Sequence, residues 1–325
     1  MAIIEKRVPD SVAVTTGPPA RTTVRHGDPV TKAERREGRA GYLLIAPTTV
    51  LLFVFYLYPL ALTVYYSFTD WNPATGDTKN LVGLANYADL FHDSEFLTAT
   101  GNTALYVIIV VPCTIGLGVF FAALLATPFR GRGVYRALIF VPHIAPIVGS
   151  ALIFSYLLSP LGGLINSALS AVGAPPIGFL NTQPWALITV MVFSIWEGVG
   201  FSMIIYSAAL ANIPDSYHEA AKLDGAGPIR RFFSISLPLV GPTTGFLAIT
   251  GVIGALQVFT QVYVLTRGGP LRSTETVLYY IYQQGFVFFH GGSASAAAVI
   301  LLTVGIVVSV LQLRVLAKRD TVELV

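Results

Sequence analysis

Glu197 falls in the middle of an apolar run, ITVMVFSIWEGVGFSMII, with no other charge in that run. A charge at the centre of a membrane helix costs about 2.5–3.5 kcal/mol on insertion scales. A residue kept there is therefore a functional-site hypothesis by default. Three chemistries fit it: a polar group lining a path through the membrane, a proton or sodium site, or a protonated, hydrogen-bonded carboxyl that joins helices. The second place where residue types and spacing could do work is 219–242, EAAKLDGAGPIRRFFSISLPLVGP. There Glu219, Lys222, Asp224, Arg230 and Arg231 sit beside Gly225, Gly227 and Pro228, between two long apolar runs. In a chain with only 11% charged residues, such an island reads as a folded surface awaiting a partner.

Catalytic motifs are informative by absence. No GxxxxGK[ST] stretch occurs, so the sequence lacks a phosphate-cradling loop of its own. Neither HExxH nor CxxC is present, which leaves no metal motif. An intramembrane carboxylate dyad would need a second acid beside Glu197, and the other acidic residues fall in loops or tails. Cys113 is the single cysteine and lies in an apolar run, where it acts as a small apolar residue. The expectation is a protein that is not an enzyme and holds no cofactor.

The elements that position these residues follow from composition. The chain is 54% hydrophobic with a mean hydropathy of +0.69. Six apolar runs are long enough to cross a hydrocarbon core: roughly 41–69, 102–128, 134–158, 184–211, 237–266 and 293–317. An all-α integral membrane fold with six transmembrane helices is expected. Placing both termini in the cytoplasm puts 17 of the 20 basic residues on the cytoplasmic side, leaving Lys79, Arg267 and Arg272 outside. The net charge of +3 thus reflects loop basicity, not a nucleic-acid surface. Residues 1–40 read as a disordered cytoplasmic tail whose Lys32 to Arg39 segment rests on anionic lipid. Residues 41–96 hold the first helix and an external loop, 97–317 the main transmembrane domain, and 318–325 a cytoplasmic tail. In the outer segment 159–183, GLINSALSAVG suggests a short amphipathic piece along the surface.

Local rules give 219–242 a shape. Pro214 ends the fourth run, and Ser216-x-x-Glu219 is a capping box for a short helix. Gly225 suits the left-handed position that closes that helix, and Pro228 the first turn of the next. The result is helix, glycine turn, helix on the cytoplasmic face.

Glu219-Ala220-Ala221, Asp224-Gly225-Ala226, Phe232, Ile235, Leu237-Pro238 and Pro242 together resemble the EAA loop of binding-protein-dependent ABC importer permeases. Leu81 to Tyr87 (LVGLANY), Leu265 to Pro270 (LTRGGP) with Thr274-Glu275-Thr276, and Tyr279 to Tyr282 (YYIY) resemble the sugar-importer branch. They are similar to the first of its two permease subunits, as in maltose and glycerol-3-phosphate systems. The resemblance spans 41–317 and implies the type I importer fold, five core helices with one preceding them. It also implies a coupling helix in which Glu219 and Gly225 are the central positions and Ala220, Ala221 and Asp224 support them. Implied partners are a second homologous permease, two ATPase subunits carrying ATP and magnesium, an external solute-binding protein and a carbohydrate. The setting is a bacterial or archaeal plasma membrane.

For the substrate path, Glu197 leads. Gln257 and Gln261, four apart in the fifth run, share a helical face flanked by Thr260 and Val264. Amides can donate to and accept from sugar hydroxyls, and Trp196, Phe259 or Tyr263 can cover a sugar's apolar face. Helix–helix hydrogen bonding explains the glutamines as well. His143, between Pro142 and Pro146, marks an interrupted third helix. The competing reading is a self-contained, ion-coupled carrier or channel built on Glu197, which leaves 219–242 without a role.

Overall fold

A computed structural model describes residues 44–75 and 80–320, with side chains to 316. The 1–40 tail and residues 321–325 lie outside the described residues. Two compact units divide at Leu57. Residues 44–57 of the first are helical and open the span α1, Leu44–Tyr66. The second unit, from Tyr58 onward, carries everything that follows.

Three further helices are long and apolar enough to cross a membrane: α3 (Ser94–Leu124), α7 (Trp185–Ala211) and α13 (Gly291–Asp320, apolar to Leu316). Two more spans are bent pairs. Helix α4 (Arg132–Ile144) turns by 99° into α5 (Ile147–Leu157), and α9 (Pro228–Leu239) turns by 64° into α10 (Gly241–Leu256). The first bend falls at Ala145-Pro146, where proline forces the preceding residue out of helical geometry. Six spans are thus reached only when each bent pair counts as one. Between them lie the short helices α2 (Ala85–His92), α6 (Leu164–Ala171), α8 (Asp215–Leu223), α11 (Thr260–Leu265) and α12 (Val277–Tyr282). Helix α6 is the piece expected from GLINSALSAVG, and α2 lies in what the sequence suggested was loop. Helix α3 begins at Ser94, ahead of the expected apolar edge, because Asp93 accepts from the Glu95 N–H at 2.8 Å and caps it.

Small residues let the central helices approach. A Cβ on Gly118 of α3 would collide with Ser202 of α7, and one on Gly200 would meet the α4 backbone at Ile139 and Phe140. Close approach at small residues substitutes for the missing hydrophobic drive between helices in lipid. Against this seam packs a core that includes Tyr106, Val110, Val190, Phe193 and Val262.

One end of α3 is closed by polar contacts. Arg272 pairs with Glu95 and with Glu275, the latter at 3.3 Å, and Tyr280 donates to Asp93 at 2.6 Å. Asn102 donates to the carbonyls of Arg272 and Glu275. Burial pushes the Glu275 carboxyl above its ordinary range, Arg272 draws it back, and Glu95 pushes it up again. A carboxyl with a raised folded pKa favours the folded state when protonated, and that stability is lost as pH rises through the raised value.

Two outcomes are expected. Gly118→Leu should cost about 1–3 kcal/mol of packing, while Gly116→Leu, which faces open space, should be tolerated; thermal unfolding in detergent separates them. Arg272→Gln should lower Tm more at neutral than at mildly acidic pH, because only the ionised Glu275 misses its cation.

Candidate functional site: a polar cavity around Glu197

Glu197 is answered from within the bundle. His143 Nδ1 lies 3.1 Å from Glu197 Oε1, and with the nitrogen protonated it donates to the carboxylate. The histidine stands in the last turn of α4, immediately before the bend. His143 also packs against Phe140 and Phe201, with ring centroids at 5.9 and 5.3 Å. Beside the pair opens a cavity of about 300 Å³. Its polar lining comes from Tyr106 and Thr114 of α3, His143 of α4, Ser194, Glu197 and Ser202 of α7, Thr250 of α10 and Gln261 of α11. Among the described residues, no lysine or arginine lines it. Hydroxyls, an amide, an imidazole and one carboxylate around a small, partly apolar space can exchange hydrogen bonds with a polyhydroxylated guest.

The sequence missed Tyr106, Thr114, Ser194, Ser202 and Thr250. A signal existed for Ser194, which shares a helical face with Glu197 and Phe201 at spacings of three and four. Of the six path residues expected, Glu197 and Gln261 line this cavity and the other four do not. Trp196 turns the other way, its ring 4.8 Å from Phe154 and 5.8 Å from Phe193. Tyr263 stacks on Phe259 at 5.4 Å within a ring cluster that includes Tyr279 and Tyr282. Thr260 opens α11.

The shared face of Gln257 and Gln261 is corrected. Helix α10 stops at Leu256, with Gln257 as its cap, and a new helix begins at Thr260. Thr276 donates to the Val258 carbonyl at 3.0 Å, satisfying backbone that a continuous helix would have used itself. Gln257 consequently lines a separate apolar groove with Leu278, Ile281 and Leu301.

The 219–242 segment forms helix, glycine turn and helix. Gly225 has φ +76°, its N–H bonds to the Lys222 carbonyl at 3.0 Å, and the Ala226 N–H bonds to the Ala221 carbonyl at 2.9 Å. This paired closure is the Schellman arrangement. Pro228 opens α9 as expected. The capping box does not form. Helix α8 starts at Asp215 directly after an extended Pro214, so Ser216 already lies in the first turn and makes no cap bond. Asp215 places negative charge there instead, which favours the helix dipole. Glu219, Ala220 and Asp224 are exposed, as is Leu223 at 89%, whereas Ala221 is buried against its own chain.

Residues 114–320 match the family described as binding-protein-dependent transport system inner membrane component. The chain belongs to that family. It is 35% identical over 278 residues to the sulfoquinovosyl glycerol transport system permease SmoG of Agrobacterium fabrum, covering 86% of this chain and 90% of that one. With the sn-glycerol-3-phosphate transport system permease UgpA of Escherichia coli it shares 36% over 275 residues, 84% of this chain and 92% of that one. A solved bacterial ABC transporter that imports the acidic polysaccharide alginate contains a chain of the same fold, with a TM-score of 0.79 at 22% identity. That match covers 88% of this chain and 98% of that one. The fold is that of the type I ABC importer permeases, and the protein is a membrane-embedded permease subunit.

Glu197 variants separate path chemistry from helix joining. Glu197→Gln keeps an acceptor for His143, while Glu197→Ala removes it and should cost about 1–3 kcal/mol. Reduced uptake in both, with Tm lowered only in Glu197→Ala, is the expected pattern. Uptake that simply tracks Tm would assign the pair to helix joining.

Proposed function

We propose that this chain forms half of the membrane path of an ATP-driven importer for a carbohydrate or related polyol. The observation that carries the reading is the exposed helix and glycine turn at 215–231. Glu219, Leu223 and Asp224 stand free on a rigid, Schellman-closed element that its own chain leaves uncovered on that side. In this reading α8 is the coupling helix, with Glu219 and Gly225 at its centre and Ala220 and Asp224 beside them. Ala221 seats the helix on the bundle.

A second homologous permease completes the path, and two ATPase subunits holding ATP and magnesium dock on the coupling helices. An external solute-binding protein delivers the cargo, and no cofactor resides in this chain. Both termini face the cytoplasm. Nucleotide and the loaded binding protein bias a two-state rigid-body switch between inward- and outward-facing bundles. The carbohydrate class is supported by relatives named for sulfoquinovosyl glycerol, glycerol-3-phosphate and alginate, all bearing hydroxyls. Within the path, Glu197, His143 and Gln261 would meet the cargo.

Gly225→Arg forces a side chain into left-handed geometry at about 1–2 kcal/mol and should break the turn. With Glu219→Ala, it is expected to leave the protein inserted but to weaken ATPase co-purification and abolish uptake into proteoliposomes. Uptake unchanged in both variants, or transport by the purified chain alone under an ion gradient, would refute the reading.

A further inference from the structure

A second polar cavity, of about 580 Å³, lies at the end of α3 away from Glu95. Its walls come from Ala122 and Ala126 at the end of α3, Arg132 at the start of α4, and Ser207 and Leu210 of α7. Asp215, His218 and Lys222 of α8 and Arg231 and Phe232 of α9 complete it. Three cations from three separate elements therefore face one space with a single carboxylate, that of Asp215. Among the described residues, Arg132, Lys222 and Arg231 have no ion pair with any acid, Asp215 included. The Nε atoms of both arginines and the Ser207 hydroxyl are shielded from solvent without a hydrogen-bond partner. The chain has thus gathered donors and positive charge here around one carboxylate, Asp215, which none of these donors reaches.

We propose that this cavity binds a phosphate-bearing anion. Guanidinium groups present planar forks of donors that match phosphate oxygens bidentately, and lysine adds a point charge. Convergent, unpaired cations repel one another, and a phosphate relieves that repulsion while accepting the idle donors. The volume exceeds what phosphate alone needs, and the alanine, leucine and phenylalanine walls suit a glycerol or ester portion. Basic pockets between membrane helices on the cytoplasmic side bind phosphate-bearing lipid headgroups. A soluble phosphate ester offers the same chemistry. The bound anion would bridge α4, α8 and α9, fixing the seat of the 215–231 element. This inference concerns a site distinct from the Glu197 cavity and holds whatever the cargo is.

The test uses the full-length protein with whatever subunits accompany it, in phosphatidylcholine nanodiscs with and without phosphatidylglycerol. Native mass spectrometry reads retained lipid, and calorimetric titration of inorganic phosphate and glycerol 3-phosphate into phosphatidylcholine discs reads the soluble source. Wild type and Arg230→Gln, whose side chain does not line the cavity, should retain the anion. Arg132→Gln combined with Arg231→Gln should lose affinity by about tenfold or more. Retention of phosphatidylglycerol would assign a lipid headgroup, and a titration signal lost in the double variant would assign a soluble phosphate. Should the double variant fail to assemble, wild-type Tm supplies the reading: it should rise with the phosphate source and not with chloride. No bound phosphate species in either arm, equal retention by the double variant, or a Tm indifferent to phosphate would overturn the proposal.

Discussion

A carboxyl group halfway along a 27-residue apolar helix must be answered from inside the bundle, since lipid offers it nothing. His143 gives that answer, and much of the architecture serves to deliver it. His143 sits in the last turn of α4 just before its 99° bend, and Gly200 lets the α4 backbone come close enough to α7 for a 3.1 Å contact. Gly118 does the same for α3, which brings Tyr106 and Thr114 to the shared space. Without these close approaches, Glu197 would face hydrocarbon or be drawn into the protein as an unpaired acid.

The two ends of the bundle solve different problems. At the Glu95 end, acids, Arg272 and backbone carbonyls are paired among themselves, so the surface is knit together by its own residues. At the Arg132 end, cations are left without acids, and a glycine-closed helix presents its far side bare. One end is paired within itself; the other keeps unpartnered donors and an exposed helix face. In a permease subunit that asymmetry is physically sensible.

Much of this was legible in the sequence, for identifiable reasons. Span positions follow from long apolar runs, whose length in lipid is a hard constraint. The Gly225 turn and Pro228 helix start follow from backbone rules that act over a few residues. What escaped depends on partners distant in sequence. The break at 257–259 carries no proline or glycine, and Thr276 holds it open through the Val258 carbonyl. The His143–Glu197 pair joins residues 54 apart, so each looked solitary when read along the chain. The capping box failed for a local reason: Asp215 took the first helical position and displaced Ser216 from the role.

Helix α9 meets α10 at a 64° bend with no intervening loop, only Val240 between them. Val240 is buried, its N–H bonded to the Ser236 carbonyl, and Thr244 in turn bonds back to the Val240 carbonyl. The junction is therefore stiff. Beyond it, α10 supplies Leu247, Thr250, Gly251, Gly254 and Ala255 to the wall of the Glu197 cavity. The 64° bend thus joins the helix that follows the charged turn directly to one wall of the Glu197 cavity. The first irregular backbone after that junction is the three-residue gap following Leu256.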